Sequence, residues 1–221
     1  MDTKNTFVLI GIPSTGQIQN RTMMSLMSAQ NYIKGQALLH VQEACYVDQS
    51  RDKMVQVALK EGATHIMFID SDMEFPAESI QHLIDQDKDI IGGLYPRRQY
   101  PYRPTINNID GKKLIVPSSY PYDRIFEVDA VATGFMLVKT SVFKKLGEPP
   151  YFKIQNFHGK SIRDDVYFCI SAKRKGFKVW ADPTMNIGHV GTYVYTMKDH
   201  ENIKHELEHG DVEDLWDGST L

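Results

Sequence analysis

The chain has 221 residues, of which 42% are hydrophobic and 24% charged, with 25 Lys+Arg against 28 Asp+Glu. That is enough chain for one domain with a real core, and the composition excludes a disordered, collagen-like or coiled-coil molecule. A net charge of −3 gives no reason to expect wholesale, non-specific nucleic-acid binding.

The apolar run from Phe7 to Ile12 reads as a buried strand that stops at Pro13, with a loop from Pro13 to Gln17. The spacing predicts a helix over 20–35, capped by Asn20, with Met23, Leu26, Met27 and Ile33 on one face. A strand over 37–41 and a helix over 50–60 follow; the helix turns Met54, Val57 and Ala58 inward and ends at Gly62. His65 to Ile69 is a second buried strand, running straight into Asp70-Ser71-Asp72. Pro76 is placed to open a helix bearing Ile80, Leu83 and Ile84, and 89–94 reads as a strand.

The second half is less regular. A loop is expected over 97–104, strands over 114–116, 126–131, 134–139 and 178–181, and a short helix over 141–146. Ser161, with Asp164 three residues on, matches a capping box for a helix through Lys175 that buries Val166, Cys169 and Ile170 and stops at Gly176. Alternating strands and helices in the front half predict an α/β sheet with crossover helices.

Residues 197–221 hold eight acids and two bases, which leaves 20 acids and 23 bases in residues 1–196. The expected division is a single catalytic domain over 1–196 and an acidic, partly helical tail over 197–221. That tail is a solvated end or a segment docked on a basic groove. It contains His205-Glu206-Leu207-Glu208-His209, a formal HExxH, but Gly210 follows at once and the surroundings are polar, so a zinc-protease helix is not expected. Cys45 and Cys169 form no disulfide or metal pattern, and the Asn20 sequon is read as chance. With no apolar leader and no run of 18 apolar residues, a soluble, cytoplasmic protein without a membrane span is expected.

Four features carry chemistry. Asp70 and Asp72 sit at a strand end, where α/β sheets bind ligands; two close carboxylates there call for a cation, and Mg²⁺ or Mn²⁺ suits them. Asp165, beside Asp164 at a helix start, suits a general base, kept ionised by the helix dipole. His189 lies between Gly188 and Gly191, where backbone or ligand can approach closely. Arg97, Arg98 and Arg103, interleaved with Tyr95, Tyr100 and Tyr102, could grip phosphate, a sugar ring or stacked bases.

Together these motifs resemble a GT-A-fold glycosyltransferase, of the family 2-like kind found as short, single-domain phage and bacterial proteins. The resemblance spans roughly residues 5–195. It rests on the segment from Thr64 to Pro76 (a DxD segment), on Ile90 to Arg98, on Asp164 to Cys169, and on Ile187-Gly188-His189-Val190-Gly191. It implies a mixed, mostly parallel sheet flanked by helices. It also implies transfer of a sugar from a nucleoside-diphosphate sugar, UDP being the commonest, to an acceptor hydroxyl. Asp72, Asp70 and His189 would hold Mn²⁺ or Mg²⁺, and Asp165 would be the base of an inverting reaction, with Asp164 standing where relatives carry Glu. Pro13, Ser14, Thr15, Arg51, Asp70 and Ser71 would meet the nucleotide. Tyr95, Arg97, Arg98, Gly134 and Phe135 would face donor sugar and acceptor. If phage-encoded, the protein would work in the host cytoplasm. The acceptor stays open among a surface glycan, a lipid-linked sugar, a protein and a hydroxylated DNA base, and so does a homo-oligomer. Two rival readings are a sugar-phosphate nucleotidyltransferase and a non-catalytic sugar- or nucleic-acid-binding module on the same fold.

Overall fold

The computed structural model describes residues 6–43, 46–110, 113–157, 160–191, 193–202 and 212–214. In chain order the first half comprises β1 (Phe7–Ser14), α1 (Asn20–Ala29), β2 (Gln36–Glu43), α2 (Val47–Lys60), β3 (His65–Ile69), β4 (Met73–Glu74), α3 (Ser79–Asp85) and β5 (Ile90–Gly93). The second half adds β6 (Ile106–Asp110), β7 (Lys113–Ile115), β8 (Phe126–Val128), β9 (Ala130–Val131), β10 (Phe135–Lys139), α4 (Thr140–Leu146), β11 (Gln155–Phe157), β12 (Lys160–Ile162) and α5 (Asp164–Arg174). The chain continues through β13 (Val179–Asp182), β14 (Gly188–Val190), β15 (Val194–Tyr195), α6 (Met197–Asn202) and β16 (Val212–Asp214).

Seven strands form the main sheet in the order β2-β1-β3-β10-β5-β13-β8. The pairs β1–β2, β1–β3 and β5–β13 are parallel; β10 runs against both its neighbours, and β8 runs against β13. The central strands β1, β3, β10 and β5 are apolar because both faces are covered, whereas the edge strand β2 is largely exposed. Val8, Ile10 and Ile12 of β1 and Met67 and Ile69 of β3 meet α1 and α3 on one face. Leu9, Ile66 and Phe68 meet α2, α4 and α5 on the other. There the Phe152 ring stacks on Phe168 with centroids 4.8 Å apart, and Phe143 stacks on Phe168 at 5.4 Å. These rings fix α5, and with it the helix start that carries Asp164 and Asp165. The smaller sheets are β15-β14-β4, the hairpin β11-β12, and β16-β7-β6-β9.

The departures from expectation are local. Helix α1 ends at Ala29 rather than near residue 35. Gln19 is its cap residue, without a side-chain bond, and Met27 points to solvent. Helix α2 starts three residues early, at Val47. Pro76 sits one turn before α3, its carbonyl accepting the Ser79 N–H at 3.1 Å. The strand expected over 126–131 splits at Asp129 so that β8 pairs with β13 and β9 with β6. Ser161 is taken by β12, where it pairs with Asn156, so the expected capping box does not form; Arg163 is the cap residue of α5. Gly62 and Gly176 end α2 and α5 with φ of 74° and 88°, as expected. No helix among the described residues is long and apolar enough to cross a membrane. The HExxH segment and Cys45 lie outside the described residues.

Candidate active site

The carboxyl ends of β1, β3 and β5 meet the start of β10 and the N-terminus of α5 at one edge of the sheet. Two cavities open there and share Asp70. One, of about 220 Å³, is lined by Pro13, Ser14, Thr15, Val47, Ser50, Asp70, Ser71 and Asp72. The other, of about 420 Å³, is lined by Tyr95, Arg97, Arg98, Gly134, Arg163, Asp164, Asp165 and His189 among others.

The acid segment is held by its backbone. The Asp70 N–H bonds to the Gly134 carbonyl at 3.0 Å, and the Ser71 carbonyl accepts the Gln19 N–H (2.8 Å) and the Thr22 hydroxyl (3.1 Å). The Asp72 carbonyl accepts the Val190 N–H at 2.7 Å, which brings β14 beside β4 and sets His189 opposite Met73. His189 Nδ1 lies 3.1 Å from the Pro96 carbonyl, which can only accept, so Nδ1 carries the hydrogen. Nε2 then faces Asp72 Oδ2 at 3.6 Å. Arg98 reaches the same Asp72 oxygen at 2.8 Å. Burial alone would raise the Asp72 pKa, but His189 and Arg98 hold it below the ordinary carboxylate value.

Arg51 is the electrostatic centre. It is buried on α2, and its guanidinium bonds to Asp70 Oδ1 at 2.9 Å and to the carboxylate of Asp164. Burial would lower its pKa, but Asp70, Asp164 and Asp165 outweigh burial and hold it firmly charged. Asp165 differs. Burial dominates and pushes its carboxyl above the ordinary value; Asp164 adds to this, while Arg163, Arg51 and the Val166 N–H oppose it. The dipole argument therefore loses to desolvation: Asp165 is a stronger base than a solvent-exposed aspartate.

Tyr95 ties the halves together. Its buried hydroxyl accepts the Gly134 N–H at 3.0 Å, its ring stands edge-on to His189 at 5.3 Å, and its carbonyl accepts the Thr105 hydroxyl at 2.7 Å. A Cβ at Gly134 would lie 2.2 Å from that hydroxyl and 3.0 Å from Asp70 Oδ2, so only glycine fits.

The sequence-predicted residues fall into place unevenly. Pro13, Ser14, Thr15, Asp70, Ser71 and Asp72 share the smaller cavity. Arg51, expected at the nucleotide, lines the larger one, set between Asp70 and Asp164. Phe135, expected on the donor wall, is fully buried against Phe75, with centroids 4.8 Å apart; Gly134 forms the wall. Asp70, expected to join Asp72 and His189 around a metal, has its carboxylate turned to Arg51. Among the described residues no three such donors are gathered as a ready metal cluster. The pair Asp72 and His189 fits a divalent cation even so, because Mg²⁺-like ions take one or two carboxylates and complete their shell with phosphate and water. Arg163, Thr133 and Ser50 line the cavities and were not singled out; for Arg163 the signal was its place next to the acid pair.

No protein-family model matches the chain, and no curated protein does. Among solved structures, A197 from STIV is similar, with a TM-score of 0.59 and 18% identity over 84% of this chain and 86% of that one. A UDP-glucose pyrophosphorylase complexed with UDP-glucose superimposes with a TM-score of 0.49 and 10% identity, over 91% of this chain and 97% of that one. The mixed α/β sheet flanked by helices is the architecture expected from the sequence, and A197 shares this fold.

Proposed function

We propose that the chain is a metal-dependent glycosyltransferase that takes a sugar from a nucleoside-diphosphate sugar, UDP being the expected nucleotide, and passes it to an acceptor hydroxyl with inversion. One observation carries this reading. Asp72, lining the smaller cavity, and His189, lining the larger, present a carboxylate oxygen and an imidazole nitrogen to each other at 3.6 Å, while Asp165, a separate and more basic carboxylate, lines the larger cavity with His189. Cation binding and proton removal thus fall to different acids, as they must, since a metal-bound carboxylate is a weak base.

In this reading Pro13, Ser14, Thr15 and Ser50 receive the nucleoside in the smaller cavity. The sugar lies past Asp70 against Gly134 and Tyr95. Asp165 takes the proton of the acceptor hydroxyl as its oxygen bonds to the anomeric carbon, and the bond from that carbon to the diphosphate breaks. A cation on Asp72 and His189 would supply charge neutralisation for the departing diphosphate. The mixed oxygen and nitrogen donor set favours Mn²⁺ over Mg²⁺. Arg51 keeps Asp164 and Asp70 oriented and adds a buried positive charge close to the reaction.

The test is thermal melting with nucleoside diphosphates, with and without Mn²⁺, followed by product analysis of nucleotide-sugar turnover. A nucleotide at a hundred times its Kd stabilises by roughly 2.7 kcal/mol, or about 5–10 °C for a chain of this size. A Mn²⁺-dependent shift with release of nucleoside diphosphate supports the proposal. Release or consumption of pyrophosphate would instead make the protein a nucleotidyltransferase.

A further inference from the structure

Four tyrosines from two distant segments form a continuous ladder next in chain or in strand pairing to Gln99 and His189, which line the larger cavity. Tyr100 packs on Tyr102 with centroids 6.0 Å apart, Tyr102 on Tyr195 at 5.2 Å, and Tyr195 on Tyr193 at 5.2 Å. The two ends are open to solvent: Tyr100 is 60% exposed and Tyr193 54%. The ladder starts at the site itself. Tyr195 is the β-pair partner of His189, and a Cβ at Gly191 would touch both Tyr195 and Arg98 at 3.3 Å.

The ladder is braced. The Tyr193 hydroxyl donates to Asp199 at 2.7 Å, and the other oxygen of Asp199 accepts the Thr196 N–H and hydroxyl at 2.8 and 2.9 Å. On the opposite side His200 Nδ1 donates to the Tyr102 carbonyl at 2.7 Å. Rings set in advance lose little entropy on binding, and each offers a broad apolar face with a polar tip.

Two ligand classes use such rings, sugars and nucleobases, and charge decides between them. A nucleic-acid strand needs bases along its phosphates. Here Arg98 is committed to Asp72 and the Val190 carbonyl, and Arg103 is buried. The carboxylate of Asp199 stands at the outer end of the ladder, in a helix that carries Glu201 as well against the single lysine Lys198. A neutral sugar chain needs no counter-charge. The C–H face of a pyranose is weakly positive and lies on the negative face of an aromatic ring, while its hydroxyls reach the phenol tips.

We propose that the ladder Tyr100–Tyr102–Tyr195–Tyr193 is the acceptor subsite, and that it takes a neutral oligosaccharide chain whose terminal hydroxyl enters the cavity toward Asp165. The inference rests on the glycosyltransferase reading and narrows its acceptor to a glycan.

The test is affinity electrophoresis of the full chain through gels containing soluble dextran, galactomannan or xyloglucan, compared with gel shift on a twelve-nucleotide oligo(dT). Retardation by at least one polysaccharide is expected, insensitive to salt. Y100A/Y193A, which removes the two exposed rings, should weaken it at least tenfold with an unchanged melting transition. If these two changes unfold the chain, the milder Y100F/Y193F should retain binding, because the ring faces remain. Retardation by none of the three polysaccharides, equal retardation of the Ala variant, or salt-sensitive oligo(dT) binding lost in that variant would each overturn the proposal. Mn²⁺-dependent nucleotide binding, measured separately, tells the failures apart. If it persists without glycan binding, only the acceptor assignment falls. If it is absent while glycan binds, the transferase reading falls.

Discussion

Asp72 Oδ2 and His189 Nε2 face each other at 3.6 Å with the ring's other nitrogen committed to the Pro96 carbonyl. In the neutral ring these are two lone pairs aimed at one point, an arrangement that attracts a cation. Arg98 holds the same oxygen at 2.8 Å and is half-exposed, so it competes with any ion that binds there. Arg98→Gln should therefore bind Mn²⁺ roughly five- to tenfold more tightly in the absence of nucleotide, about 1 kcal/mol of released competition. Mn²⁺ titration by electron paramagnetic resonance reads this directly. Asp72→Asn should abolish the binding, and equal affinity in wild type and Arg98→Gln would show that the guanidinium is no competitor.

The raised pKa of Asp165 fixes two pH dependences. In the proposed mechanism its ionised form is the base, so transfer should decline as pH falls through a value above the ordinary ~3.9 of aspartate. Asp165→Asn should remove transfer while nucleotide binding stays.

The same shift has a stability consequence of opposite sense. A carboxylate whose folded value lies above its unfolded one costs nothing below ~3.9, where both states are protonated. The cost grows through the window up to the raised value and is complete above it. Asp165→Asn should thus melt higher than wild type at neutral pH, the gap closing in acid. Parallel melting curves across that range would place the raised value in doubt.

Arg51 neutralises two acids, Asp70, which is partly exposed, and Asp164, which is buried with it. Arg51→Met should cost about 3–5 kcal/mol, because buried Asp164 is left uncompensated. Chemical denaturation measures it. A double variant, Arg51→Met with Asp164→Asn, should recover part of the loss.

Gly134→Ala puts a methyl group 2.2 Å from the Tyr95 hydroxyl. The strand cannot retreat, since the Asp70 N–H holds the Gly134 carbonyl. The expected cost is about 1–3 kcal/mol of overpacking. Catalysis should fall further than stability, because Tyr95 packs on His189. Normal turnover in this variant would mean the ring can move without consequence.

Much of the frame was legible. The apolar runs of β1 and β3 are buried on both faces, and such strands announce themselves in sequence. The acid segment at the end of β3 was legible for the same reason. The strands β6, β14 and β15 were not: they are short, no alternation marks them, and β6 and β14 are each held on one side by a strand distant in the chain, β9 and β4. The capping pattern at Ser161 and Asp164 misled because a hairpin ends just before α5 and claims the serine. The role of Arg51 had no local signal. Its two partners lie 19 and 113 residues away, so only the closed sheet reveals that one cation serves both acids.

Tyr95 joins parts of the site that arrive at different times during synthesis. Gly134 and His189 lie far beyond it in sequence, and the acid segment comes well before it. Contacts of such long range carry a large loop-closure cost and belong late in folding. The edge of the sheet that carries the candidate site is therefore completed only when the whole sheet has closed, and on the proposed function activity regained after denaturation is a clock for the last step of assembly.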